Sequence, residues 1–111
     1  MTTHVRRMLD VIERSYVDHI TLDTLGRTLD RQSRYLGHLF RKEVGMTVRA
    51  RVTALRLDRA AALIREGVKI EAVALLVGYR GRRNFYRQFR RKYGTTPFEY
   101  GRQAQASLES R

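Results

Sequence analysis

Arg83, Asn84, Arg87 and Arg90 recur at helical spacing in residues 78–94, a stretch with seven positive side chains between Arg80 and Lys92 and no acidic one. The chemistry open to such a set is recognition rather than bond making. A guanidinium can donate two parallel hydrogen bonds to guanine O6 and N7 or to a phosphate, and an Asn amide can match adenine N6 and N7. The same stretch keeps an apolar beat. Phe85, Phe89 and Tyr93 fall at i, i+4 and i+8, one stripe of an α-helix, with the Arg/Asn face on the other side. A short helix anchored by aromatic rings, with a cationic face outside, has the build of a nucleic-acid recognition helix.

The composition points the same way. A formal net charge of +12 on 111 residues implies a polyanionic partner, nucleic acid first and an anionic membrane surface second. Hydrophobic residues make up 42% of the chain and aromatics 9%, enough for a modest core in one domain or two very small subdomains. There is no Cys, which removes disulfides, thiolate metal sites and Cys nucleophiles. His4, His19 and His38 lack ligand spacing, so neither metal nor cofactor is expected. No Ser/His/Asp grouping, phosphate-cradling Gly loop or paired carboxylates point to catalysis, and an enzyme is not expected. No apolar run approaches the ~18 residues of a membrane span, and no signal-peptide core opens the chain. The expectation is a soluble, cytoplasmic protein without a membrane partner.

Taken in order, Val5, Leu9, Ile12 and Tyr16 define an amphipathic first helix, and Thr21 can cap a short helix carrying Leu22, Leu25 and Leu29. After a turn near Asp30, residues 33–44 place Leu36, Leu39 and Phe40 inward and Arg34, Gly37, His38 and Arg41 outward, with Gly45 as terminator. Residues 47–66 form the longest helical segment, about 18 residues or roughly 27 Å, burying Val48, Val52, Leu55, Ala60, Leu63 and Ile64. Residues 69–77 form a short helix, and Gly78 turns into the cationic stretch. Thr96-Pro97-Phe98-Glu99 opens a last short helix as a capping box, and residues 104–111 have little to bury and are expected to fray. The fold class is all-α with about seven helices. Its segments are 1–46, a connecting helix 47–66, a second unit 67–103 and a flexible tail 104–111.

The chain also repeats itself. Phe40-Arg41-Lys42-Glu43-Val44-Gly45-Met46-Thr47 and Phe89-Arg90-Arg91-Lys92-Tyr93-Gly94-Thr95-Thr96 share one template at an offset of 49, which Leu36 and Phe85 also keep. Leu25 and Val73, like Leu29 and Val77, match at 48, so the second turn carries one extra residue. Short helix, turn, longer helix, Gly is the outline of a helix-turn-helix, whose second helix enters the major groove. A ~27 Å connector plus flanking width is compatible with two such helices about one DNA turn, roughly 34 Å, apart.

Ile70, Val73-Ala74, Val77-Gly78-Tyr79, Asn84-Phe85, Phe89-Arg90, Gly94-Thr95-Thr96-Pro97 and Tyr100 form the most specific pattern in the chain. Arg56-Leu57, Ala60 and Leu63-Ile64 support it, as do Tyr35-Leu36, Leu39-Phe40 and Gly45-Met46-Thr47. Over residues 5–102 the sequence resembles the DNA-binding domain of AraC/XylS-type bacterial transcription regulators. The resemblance implies a monomeric, nucleoid-associated reader of promoter or operator DNA with two helix-turn-helix units, often activating through contact with RNA polymerase. It puts base reading on Arg34 and His38 in the first unit and on Arg83, Asn84 and Arg87 in the second.

Arg41, Arg80, Arg82, Arg90 and Arg91 are expected on phosphates, and Ser33 either on phosphate or as a plain helix cap. Arg56 is expected in a structural ion pair near Asp58 and Glu66. Three features of the first unit depart from the family: Gly26 in place of Ala, the turn Asp30-Arg31-Gln32 with Ser33 one place late, and Gly37 at an outward position. In the second unit, Arg80, Arg82 and Arg83 replace small polar residues. The second unit is therefore expected to bind DNA at least as strongly as the first.

Two other functions compete. One is a non-enzymatic interaction module that binds RNA polymerase or another regulator with only non-specific DNA affinity, which Gly37 and the unusual first turn favour. The other is a basic RNA-binding or architectural protein, which the core period of the aromatics argues against. No effector-binding or dimerisation domain is legible, leaving open a complete small regulator or one domain of a longer chain.

Overall fold

Threonine starts four of the helices. Thr2 accepts from the Val5 amide, Thr47 from Ala50 and Thr96 from Glu99, while Thr21 and Thr24 cap one another reciprocally. In the computed structural model, which describes residues 1–110, these caps open α1 (Thr3–Ser15), α2 (Leu22–Leu29), α4 (Val48–Arg65) and α7 (Pro97–Glu109). The remaining helices, α3 (Ser33–Val44), α5 (Ile70–Leu76) and α6 (Arg82–Tyr93), begin on Gln32, Lys69 and Gly81 without a side-chain cap. Ser33 is the first residue inside α3 and not its cap. The all-α expectation holds, with seven helices and no strand among the described residues.

Two units build separate cores, Met1–Leu55 and Arg56–Arg111, and the division falls inside α4. In the first unit, Val5, Met8 and Ile12 of α1 pack with Leu25, Leu29, Leu36, Phe40, Val48 and Val52. Met8 is fully buried where the periodic reading had chosen Leu9, which is only partly covered. In the second, Leu57, Ala60, Ala61 and Ile64 pack with Val73, Ala74, Val77, Tyr79, Phe85 and Phe89. The 48/52 register of α4 thus gives way to a 57/60/61/64 register. That is why sequence periodicity, fitted as one stripe, missed Leu57 and Ala61 and described a separate connector.

α3 and α6 keep the repeat offset of 49 at both ends. Gly45 and Gly94 close them at φ 86 and 74, a left-handed conformation that glycine takes without steric cost. The two turns are built differently. Residues 30–32 make a tight first turn with Asp30 itself left-handed at φ 55, and Arg31 N–H donates back to the Gly26 carbonyl at 3.0 Å. A Cβ on Gly26 would lie 2.8 Å from the Arg31 carbonyl oxygen. Gly26 and the short turn therefore belong together: the turn requires the backbones to approach where the second unit has Ala74.

α7 runs on to Glu109 instead of ending near residue 103. Residues 105–110 are exposed, as their composition demands, but nothing from Gln103 to Glu109 breaks a helix, so the backbone continues without burial.

Gly26→Ala is expected to destabilise the first unit by about 1–3 kcal/mol through backbone overpacking, against the ordinary helical gain of Ala over Gly. Chemical denaturation followed by circular dichroism measures it, and a gain in stability would show that the turn yields freely.

Candidate nucleic-acid interface

The apolar stripe of α6 is held from several sides. Phe85 and Phe89 are fully buried, Phe89 lies with its ring centroid 4.6 Å from Tyr93 and 5.4 Å from Tyr100, and Phe85 packs 5.3 Å from Tyr79. With that face committed, Arg82, Arg83, Asn84, Arg87, Arg90 and Arg91 are all exposed, and Arg80 is exposed in the turn ahead of them.

Lys92 does not join this face. Its ammonium pairs with Asp58 on α4, and the Tyr93 hydroxyl donates to the same carboxylate at 3.1 Å. Burial, then the hydrogen bond to Asp58 and its charge, push the Tyr93 phenol up to about 12. Arg56 lies over the Tyr79 ring at 5.6 Å, an aromatic partner that the sequence did not suggest.

The polar residues of α6 are already ordered among themselves. Arg82 stacks over Tyr86 at 5.1 Å. Asn84 Oδ1 accepts from Arg87 Nη2 at 2.8 Å and from Gln88 Nε2 at 3.2 Å, and Gln88 Oε1 accepts from the Tyr79 hydroxyl. Burial raises the Tyr79 phenol above its usual range, with Arg56 opposing the shift. Arg87, Arg90 and Arg91 also line a shallow cleft with Tyr86 and Thr96. Gln88 and Tyr79 were missed as site residues. Gln88 is legible in retrospect, four residues after Asn84; Tyr79 lies outside the helix and carries no such signal.

On α3, Leu36 and Phe40 are buried while Arg34, His38 and Arg41 are exposed. Tyr35, 46% exposed, stands among them with its hydroxyl 3.3 Å from His4 Nδ1. Ser33 is half-buried and shares a shallow cleft with Arg27 and Arg31 but also with Asp23 and Asp30. Gly37 is half-buried, and a Cβ there would lie 2.9 Å from Leu22 Cδ1. That carbon is the end of a flexible, half-buried side chain, so α2 and α3 meet closely at this position. Within the second unit, Leu75 and Leu76 on α5 are 67% and 55% exposed. Among the described residues no group of His, Asp and Glu is placed to hold a metal, and no helix is long and apolar enough to cross a membrane.

A family model described as a helix-turn-helix domain matches residues 25–103, more than half of the chain. The melibiose operon regulatory protein of Escherichia coli is 26% identical over 103 residues, which is 92% of this chain and 34% of that protein. The C-terminal domain of AraT, a response regulator from Geobacillus stearothermophilus, superposes with a TM-score of 0.88 at 26% identity, covering 92% of this chain and 86% of that one. A probable AraC family transcriptional regulator from Rhodopseudomonas palustris gives 0.81 at 26%, covering 93% and 98%. The fold and the exposed α6 face define a helix-turn-helix DNA-binding domain. The chain belongs to the AraC/XylS family of bacterial transcription regulators. It spans about a third or less of the length of the curated relatives it matches.

Lys92→Ala is expected to cost at most ~1 kcal/mol of stability, as for other exposed pairs. It should flatten the salt dependence of DNA binding less than Arg91→Ala does, measured by fluorescence anisotropy across a salt series. Equal slopes for the two variants would place Lys92 on the DNA.

Proposed function

We propose that this chain is a sequence-specific reader of double-stranded DNA that activates transcription, with α6 as its principal recognition helix and α3 as its second, each lying in a major-groove segment. The observation that carries this reading is the polarity of α6: two fully buried Phe rings on one side, five exposed Arg and Asn84 on the other. Arg83, Asn84 and Arg87 read base edges from α6, and Arg34 and His38 do so from α3. Arg80, Arg82, Arg90, Arg91 and Arg41 contact phosphates, supplying affinity without sequence information. The carboxylates of Asp23 and Asp30 beside Ser33 weaken the case for a phosphate there. The chain acts in the bacterial cytoplasm on the nucleoid, as a monomer and not as an enzyme, and RNA polymerase is its protein partner.

A second reading is an interaction module with only non-specific DNA affinity. It keeps one observation, the adjacent exposed pair Leu75 and Leu76, an apolar surface that a protein partner would cover.

Selection of random duplex DNA by the purified protein, at moderate and at near-physiological salt, separates the two. The regulator reading expects an enriched site of two short blocks that survives the higher salt. No enriched motif, with binding that vanishes as salt rises, would leave the interaction module. Arg83→Ala or Arg87→Ala should then cost about 1–3 kcal/mol on the selected site and relax one base position, whereas Arg91→Ala weakens binding to all sequences alike. Equal losses for all three on specific and random duplexes would contradict the base-reading assignment.

A further inference from the structure

The hydrogen-bond chain from Tyr79 to Arg87 has a direction, and that direction constrains what Asn84 can read. A guanidinium only donates, so the end of the Asn84 amide that faces Arg87 Nη2 at 2.8 Å has to be the oxygen. The same oxygen lies 3.2 Å from the Gln88 amide, which must therefore present its nitrogen. The oxygen of Gln88 then points the other way and accepts from the Tyr79 hydroxyl. Tyr79 is buried, 5% exposed, and packed against Phe85, so the far end of the chain is fixed in the core. With two donors on its Oδ1, Asn84 has only its NH₂ left for a partner outside the protein.

We infer that Tyr79 and Gln88 are positioning residues that hold Asn84 as a pure hydrogen-bond donor, so that this position of the recognition helix selects a base edge offering an acceptor and not the paired donor and acceptor of adenine. The bidentate Asn–adenine match needs the amide oxygen to receive N6–H while the nitrogen donates to N7. Here the oxygen is occupied. The acceptors open to a lone NH₂ in the major groove are guanine O6 and N7, thymine O4 and adenine N7 without its amino group. Arg87 gives up one of its five N–H groups to the chain and keeps the others for its own contact. The inference rests on the base-reading role proposed for α6 and adds the polarity of one contact within it.

The test uses the full chain and the tightest duplex from random selection. Asn84→Ala first identifies the base pair whose discrimination depends on this residue. At that pair, analogues lacking one major-groove group are substituted: 7-deazapurines without N7, pyrimidinones without O4, and purine 2′-deoxyriboside without the N6 amino group. Deleting the contacted acceptor is expected to cost wild type about tenfold in affinity and Asn84→Ala little, whereas deleting an amino group costs under about twofold. Tyr79→Phe, with its fold checked by thermal unfolding, frees Gln88 and should relax preference at this one pair while leaving random-duplex affinity unchanged. Gln88→Leu leaves the Asn84 oxygen with Arg87 as its one donor and a lone pair free, and should shift preference toward an amino-bearing base. An amino deletion as costly as an acceptor deletion in wild type would overturn the inferred polarity. So would Asn84→Ala lowering affinity on every duplex equally. Failure of wild type to enrich any motif would overturn the base-reading function itself, and the inference with it.

Discussion

The exposed cationic face of α6 depends on the burial of two phenyl rings. α6 carries Arg82, Arg83, Arg87, Arg90, Arg91 and Lys92 with no acidic residue to offset them. Like charges at i,i+3 and i,i+4 each cost a few tenths of a kcal/mol, about 0.2–0.5, and Arg82 and Arg83 add cations at the positive end of the helix dipole. Full burial of a Phe contributes roughly 1.5–3 kcal/mol, and Phe85 and Phe89 are both at zero exposure. The apolar stripe therefore outweighs the repulsion, and it also sets which face points out. The cations of the last turn are better placed than those of the first, and one of them, Lys92, is drawn aside to Asp58. What remains outside is a cationic surface with one ordered amide network at its centre.

The two units solve the same problem with different turns. The first uses three residues, a left-handed Asp30 and a glycine at 26 where the backbones meet. The second, residues 77–81, is two residues longer, keeps Ala74 at the equivalent place, and uses the added length to bring buried Tyr79 under α6. That tyrosine both packs Phe85 and terminates the Gln88–Asn84–Arg87 chain. Among the described residues no such network is found on α3. Its nearest counterpart is Tyr35, which sits at the position of Asn84 and meets His4 from α1. The structural asymmetry between the units thus follows from how each turn is built.

Much of this was legible in the residues, for identifiable reasons. Phe85, Phe89, Leu36 and Phe40 announce their helices because a strict i,i+4 stripe among charges has one explanation. The Gly45 and Gly94 terminators and the Thr21 and Thr96 starts are local chemistry that needs no tertiary knowledge. The failures arise where tertiary context decides. α4 serves two cores in two registers, so a single period misplaced Leu57 and Ala61. The helical phase of Gly37 allows an outward position, and the proximity of Leu22 is a tertiary contact that phase does not reveal. The adenine match of Asn84 rests on its residue type; that its oxygen accepts from Arg87 and Gln88 depends on side-chain conformations the sequence does not specify.

In the proposed function a defined set of α6 side chains meets bases while the surrounding cations meet phosphates. The most direct measurement is NMR of the arginine guanidinium and Asn/Gln amide groups during titration with a selected duplex and with a random one. Arg83, Arg87 and the Asn84 NH₂ should shift on the selected duplex and stay near their free positions on the random one, while Arg90 and Arg91 shift on both. Lys92 and the Tyr79 hydroxyl should keep their partners throughout. Equal shifts of every exposed arginine on both duplexes would contradict the account and leave net charge as the whole basis of binding.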